Sequence, residues 1–242
     1  MFTFFKKKNR VEDIEWLGID VHSHLLPGID DGAPDLVQSL DLIRGLNNLG
    51  FSKFLCTPHI FAELYPNNPD TIKTALLEVK AGLQGAGLDV VLDAAAEYMV
   101  DENFRVADDL LCLPGKYVLI EMSYLSETPG IEQVIFDLKI RGYHVILAHP
   151  ERYSFNHADP LRFSRYKEIG VLFQLNLLSV CGYYGKEVKQ IAEYLLENEL
   201  YDLAATDLHH NRHLRALSTA VTSGFLHKRL GNYGFKNKEL FS

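Results

Sequence analysis

Cysteine is scarce in this chain of 242 residues: there are three, at positions 56, 112 and 181, and no two form a CxxC pair. That spacing supports neither a disulfide framework nor a thiolate zinc site. No cysteine has an arginine six positions later; Cys56, Cys112 and Cys181 lead to Ala62, Val118 and Glu187. A phosphatase that carries its thiolate nucleophile and phosphate-binding arginine on one short loop is therefore not supported. Long apolar runs are also missing. Nothing approaches the roughly 18 residues of a membrane span, and the opening MFTFFKKKNR has its charges after the apolar residues, the reverse of a secretory signal. A cytoplasmic protein, not embedded in a membrane, is expected. Lys and Arg do not cluster beyond that opening, and the formal net charge is -8, which argues against a nucleic-acid surface. The GxxxxGK[ST] and HExxH motifs are absent as well.

What is present is an alternation. Hydrophobic residues make up 47% of the chain, enough to bury a full core. Residues 1–16 read as an N-terminal extension and 17–242 as a single domain. Seven β-rich runs (17–21, 53–57, 89–95, 117–121, 144–148, 171–175 and 202–206) are separated by segments of helical period at 35–50, 69–84, 131–142 and 186–199. In the first of these, Leu36, Leu40, Ile43 and Leu46 share one face, and Gly50 suits the helix end. Strands buried on both faces and joined by helices predict an α/β fold with parallel pairing, either an open sheet or a closed (β/α) barrel. Residues 98–113 break the pattern and read as a loop with a short helix or an extra hairpin.

The residues at the carboxyl ends of the runs carry the functional signal. Six of the seven runs end in metal-competent side chains: His22 and His24, His59, Glu97, Glu121, His149, then Asp207 and His209, with Asp31 in the loop after the first. In a parallel barrel those ends open onto one face, so the side chains would converge. Imidazoles mixed with carboxylates suit Mn, Fe or Zn in a water-accessible site, and nine donors are enough for two or three ions. Clustered divalent ions are a common device for hydrolysing phosphate esters. Arg152, three residues past His149, offers a planar fork for phosphate oxygens. His144, His157 and His227 read as structural or surface residues, whereas His210 and His213 adjoin the site.

Taken in order, HSH, DDG, TPH, AEY, IE, AHPER and TDLH resemble the polymerase and histidinol phosphatase (PHP) superfamily. The stretches DVHSHLLPGIDDGAPDLVQSL, LIEMSYL, GYHVILAHPERY and LLSVCGYYGKEV are similar to the bacterial manganese-dependent tyrosine-protein phosphatases of capsule and exopolysaccharide synthesis. The resemblance implies a distorted seven-stranded (β/α) barrel. It implies one metal on His22, His24, Glu97 and Asp207, a second on Glu97, Glu121 and His149, and a third on Asp31, His59 and His209. Arg152 matches the phosphate-contacting arginine. Where members carry a basic residue five positions past the last ligand histidine this chain has Leu214, so Arg212 or Arg215 is the expected substitute. The implied substrate is phosphotyrosine on protein, and the implied partner is a tyrosine kinase of polysaccharide export with a tyrosine-rich tail.

The expected chemistry is in-line attack by a metal-activated hydroxide, with Arg152 stabilising the phosphoryl oxygens and Asp207 or His209 assisting the leaving phenolate. Three alternatives remain: a phosphatase of a small phosphomonoester such as histidinol phosphate, an amidohydrolase barrel, and a non-enzymatic module that uses metal to fold or bind.

Overall fold

The computed structural model describes residues 11–242. The opening basic cluster lies outside them. The described part of the expected extension packs onto the domain: Ile14 is fully buried, and its N–H donates to Leu49 O at 2.8 Å.

Among the described residues nine strands alternate with helices. They are β1 (Ile19–Asp20), β2 (Lys53–Cys56), β3 (His59–Ile60), β4 (Val91–Ala94), β5 (Glu97–Met99), β6 (Tyr117–Glu121), β7 (His144–Ala148), β8 (Leu172–Asn176) and β9 (Leu203–Ala205). All pair in parallel, in two sheets ordered β1-β2-β4 and β3-β5-β6-β7-β8-β9. The chain makes the seven passes expected from sequence, but these sheets do not constitute one closed barrel. Two passes are divided: β2 gives way to β3 at Thr57-Pro58, and β4 to β5 at Ala95-Ala96. Proline has no N–H for the ladder, so the second pass leaves one sheet there and joins the other. Beyond the strands, Asp207 N donates to His22 O at 2.8 Å and His24 N to Leu208 O at 3.0 Å, which ties the first pass to the last.

The helices begin and end where the local chemistry directs. The first is α1 (Leu36–Asn48), capped by Asp35, whose carboxylate accepts from Gln38 N at 2.8 Å. Next is α2 (Pro69–Ala86), which has proline at its start, a reciprocal Asn68–Thr71 capping box, and Gly87 in the left-handed region at its end. Then follow α3 (Ile131–Ile140), α4 (Arg162–Glu168), α5 (Leu177–Val180), α6 (Lys186–Glu197), α7 (Asn211–Thr222), α8 (Phe225–Leu230) and α9 (Asn237–Phe241). Segment 98–113 has no helix; its first residues complete β5, and the rest is held by Tyr98 Oη, which accepts from Leu111 N at 2.8 Å.

Alternation along the strands divides the core. Ile19, Leu55, Ala95, Leu119, Ile146 and Leu203 meet in one small apolar cluster closed by Phe241. Their neighbours Phe54, Val118, Ile120, Val145, Leu147, Phe173 and Ala204 face the larger cluster under the helices. Glu97, Glu121, Gln174 and Asp207 continue the parity of the small cluster toward the carboxyl ends, where polar side chains replace apolar ones.

Candidate metal centre

The nine sequence-predicted donors come together. His22 Nε2 and His24 Nε2 are 3.3 Å apart. Glu97 Oε2 lies 3.2 Å from the first and 3.4 Å from the second. Asp207 Oδ1 lies 3.4 and 3.5 Å from the same two atoms. His149 Nε2 is 3.2 Å from Glu97 Oε1 and 3.9 Å from Glu121 Oε2. At the open side, Asp31 Oδ1 lies 3.4 Å from His59 Nε2 and 3.5 Å from His209 Nε2. The third and second sets meet at His59, whose Nδ1 is 3.2 Å from Glu97 Oε2 and 3.1 Å from Glu121 Oε1. Metal-competent groupings recur throughout: His24, Asp31, His59 and His209; His22, His24 and Asp207; His22, Glu97 and His149; His59, Glu97 and Glu121.

The neighbours of the donors show that the set fits cations. His22 Nδ1 donates to Gln174 Oε1 at 2.8 Å, and His24 Nδ1 donates to Asp30 Oδ2 at 2.8 Å. With both protons on Nδ1, the two Nε2 atoms face each other as lone pairs across 3.3 Å, an arrangement that a cation resolves. Gln174 is held by its own Nε2 donating to Leu175 O at 2.6 Å, which fixes which amide atom faces His22. His209 Nδ1 likewise donates to Asp207 O at 2.9 Å and leaves Nε2 for the site. Buried Glu97 Oε2, His59 Nδ1 and His149 Nδ1 have no aligned hydrogen-bond partner. Cys56 stays out of the set: it is fully buried, and burial pushes its thiol up to about 12.

Electrostatics agree. Burial opposes the charge of Glu97 and Asp207, yet His22 and His59 hold the Glu97 carboxyl well below the usual range, and His22 and His209 do so for Asp207. The effect is reciprocal. Burial and His24 pull His59 down, but Glu97, Asp31 and Glu121 outweigh them and raise it to about 10. A cluster that pulls protons onto its imidazoles this strongly is one that attracts positive charge.

Backbone strain marks two of these positions. His149 has φ 32° and Asp207 φ 48°, left-handed conformations that cost a non-glycine residue about 1 kcal/mol or more.

Arg152 lies at the same pocket, a cavity of about 240 Å³ lined by Asp31, His59, Glu97, His149, Asp207 and His209 among others. Its Nη1 donates to Asp207 Oδ2 at 2.8 Å. Asn176 Nδ2 donates to the same oxygen at 2.8 Å, and Oδ1 faces His22 and His24, so both oxygens of Asp207 are engaged. His210 and His213 also line the pocket; His210 caps α7 by accepting from His213 N at 3.3 Å. Neither Arg212 nor Arg215 lines it, and both are exposed. Leu214 turns instead toward Gly45 of α1. His144, exposed, stacks on Tyr117; His157 bonds Glu151 O; His227 meets Trp16 edge-on.

Sequence reasoning missed Gln174, Asn176, Tyr124 and Tyr184, and it did not single out Asp30. The signal for the amides was present. The run 171–175 was the one without a metal-competent end, and the strand there supplies neutral groups that hydrogen-bond the candidate ligands His22 and Asp207.

The model for the CpsB/CapC family of capsular polysaccharide synthesis matches residues 18–239. The tyrosine-protein phosphatase YwqE of Bacillus subtilis is 28% identical over 218 residues, 88% of this chain and 85% of the relative. The tyrosine-protein phosphatase CpsB of Streptococcus pneumoniae is 25% identical over 200 residues, 79% of this chain and 82% of the relative. A chain from the crystal structures of YwqE and CpsB, described as metal-dependent tyrosine phosphatases, superposes with a TM-score of 0.80 at 28% identity, covering 92% of this chain and 90% of that one. An amidohydrolase from Mycoplasma synoviae, at 12% identity and a TM-score of 0.58 over 94% of this chain and 89% of its own, shares the fold alone. Matched along nearly its whole length, the chain belongs to the CpsB/CapC family of capsular polysaccharide synthesis.

Proposed function

We propose that this protein is a metal-dependent protein-tyrosine phosphatase of capsule or exopolysaccharide synthesis. The observation that carries the reading is the convergence of nine nitrogen and oxygen donors, six of them lining one small pocket together with Arg152, in a chain whose relatives are named tyrosine phosphatases.

His22, His24, Glu97 and Asp207 would hold one ion, Glu97, Glu121 and His149 a second, and Asp31, His59 and His209 a third. The mixed imidazole and carboxylate donors suit manganese, iron or zinc, and the resemblance to manganese-dependent phosphatases puts manganese first. Bound there, divalent ions supply Lewis acidity toward phosphoryl oxygens and lower the pKa of water. The remaining work falls to the chain. Arg152 presents its planar fork to the phosphoryl group, and its bond to Asp207 fixes the direction from which it does so. Asp207, with both oxygens engaged, orients rather than donates a proton. His209, whose Nε2 would face the third ion while its Nδ1 donates to Asp207 O, is committed in the same way; a phenolate of parent pKa about 10 needs little proton donation.

The proposed substrate is the tyrosine-rich tail of a polysaccharide-export tyrosine kinase, which the capsule-synthesis family supports. Three free cysteines accord with a cytoplasmic location, and among the described residues no helix is long and apolar enough to cross a membrane. Membership of the PHP superfamily and a distorted seven-pass barrel belong to the same reading. In support, the passes share the small inner cluster, and backbone bonds link residues 22–24 to 207–208.

Turnover by manganese-loaded protein of a phosphotyrosine peptide, set beside histidinol phosphate, tests the substrate. Preference for the amino-alcohol phosphate overturns it. His22→Ala and Glu97→Ala are expected to lose metal and turnover together, whereas Arg152→Ala keeps its metal and loses phosphate affinity.

A further inference from the structure

Two tyrosine rings pack on the guanidinium of Arg152, a feature that metal binding does not require. Its Cζ lies 4.4 Å from the ring centroid of Tyr124 and 4.4 Å from that of Tyr184. The rings come from separate segments: Tyr124 from the loop after β6, Tyr184 from the turn between α5 and α6. Both also line the metal pocket. Tyr184 is fastened to the site through Asn176, whose Nδ2 lies 3.2 Å from the tyrosine oxygen and 2.8 Å from Asp207 Oδ2. Arg152 Nη1 completes the circuit on that same carboxylate oxygen.

An arginine bonded to Asp207 and sharing its pocket with Glu97 and Asp31 experiences a strong pull toward carboxylate. Left to rotate, it would lay two parallel N–H bonds on one of them and withdraw its fork from the pocket. Here one N–H is on Asp207, and the π-faces attract the cation while restricting how its plane can turn. We propose that Tyr124 and Tyr184 are positioning residues that hold the Arg152 guanidinium ready for a phosphoryl group, an inference that rests on the phosphatase reading of the pocket.

The test uses the full chain loaded with manganese. Binding of inorganic phosphate is read by calorimetry, and kcat and KM are read with para-nitrophenyl phosphate; metal content and melting temperature are recorded alongside. Tyr124→Leu and Tyr184→Leu are expected to weaken phosphate binding and raise KM about tenfold, with a smaller fall in kcat, while metal content holds. Tyr124→Phe and Tyr184→Phe recover most of that loss because the ring face is kept. On an Arg152→Ala background the leucine substitutions add nothing further, since what they position is gone. A loss that persists in full on that background, or no loss at all, overturns the proposal. Tyr124 is on an exposed loop, so its variants carry the test if Tyr184→Leu does not fold. The binding measurement separates the two readings. A protein that binds phosphate through a ring-held Arg152 yet hydrolyses no phosphotyrosine overturns the phosphatase reading and keeps the clamp.

Discussion

Gln174 Oε1 accepts the Nδ1 proton of His22 at 2.8 Å and thereby turns the Nε2 lone pair of that imidazole into the donor cluster. Such partners govern metal affinity through the ligand they orient. Gln174→Leu is expected to keep the fold and weaken divalent-metal binding about 10- to 100-fold. Metal titration by calorimetry checks it; unchanged affinity would show that the hydrogen bond does not orient the ligand.

Gly32 has a tighter constraint. A Cβ at that position would stand 2.1 Å from His24 O and 2.5 Å from His24 Cβ, so this candidate ligand itself would have to move. Gly32→Ala is expected to cost about 1–3 kcal/mol in urea unfolding and to lower bound metal together with it. Destabilisation with full metal occupancy would mean that the clash relaxes elsewhere.

Removing metal should be felt as lost stability. Ions that bind only the folded chain stabilise it by about 2.7 kcal/mol at a hundredfold excess over the dissociation constant, roughly 5–10 °C in melting temperature for a domain of this size. Scanning calorimetry with manganese and with a chelator reads this directly. Far-ultraviolet circular dichroism should be unchanged between the two, because the core clusters do not depend on the ions.

Asp202 supplies a pH dependence remote from the metals. Its carboxylate, nearly buried, pairs with Lys167 and with Lys236 at 2.8 Å and accepts from Phe173 N at 3.0 Å. Burial opposes its charge, but the two lysines and that amide hold its pKa below the usual value. In acid the folded chain therefore binds fewer protons here than the unfolded one. The stabilisation is complete above the unfolded value near 4 and is lost as pH falls through the lower folded value. Asp202→Asn is expected to lose about 1–3 kcal/mol at pH 7, and its deficit against the parent should shrink as pH falls toward 3. Urea midpoints across that range decide it; a deficit that does not vary with pH would assign the effect to packing.

Much of the fold and site was legible from the order of residues. β-rich runs separated by helical periods located all seven passes, and Asp35, Pro69 and Gly87 mark helix boundaries through their own local chemistry. The convergence of the candidate ligands was legible because strand ends are where a parallel architecture brings distant positions together, so chain order alone indicated their company. Other features were not readable. The division of two passes between sheets depends on how Pro58 and the Ala95-Ala96 step meet the neighbouring ladder. Gln174 and Asn176 look like ordinary strand amides until His22 and Asp207 stand opposite them. Which residues of α7 meet the pocket was not readable either: His210, its cap, and His213 line it, whereas Arg212 and Arg215 are exposed.

The left-handed backbone at His149 and Asp207 also has a meaning for descent. Glycine adopts that conformation freely, so the backbone alone would select glycine at both positions. Selection for activity works against that preference. A descendant released from its catalytic duty is therefore expected to drift first at these two codons, trading a proposed metal ligand for ease of folding. Glycine at 149 or 207 in an otherwise intact relative would then mark a copy that has kept the scaffold for some other use.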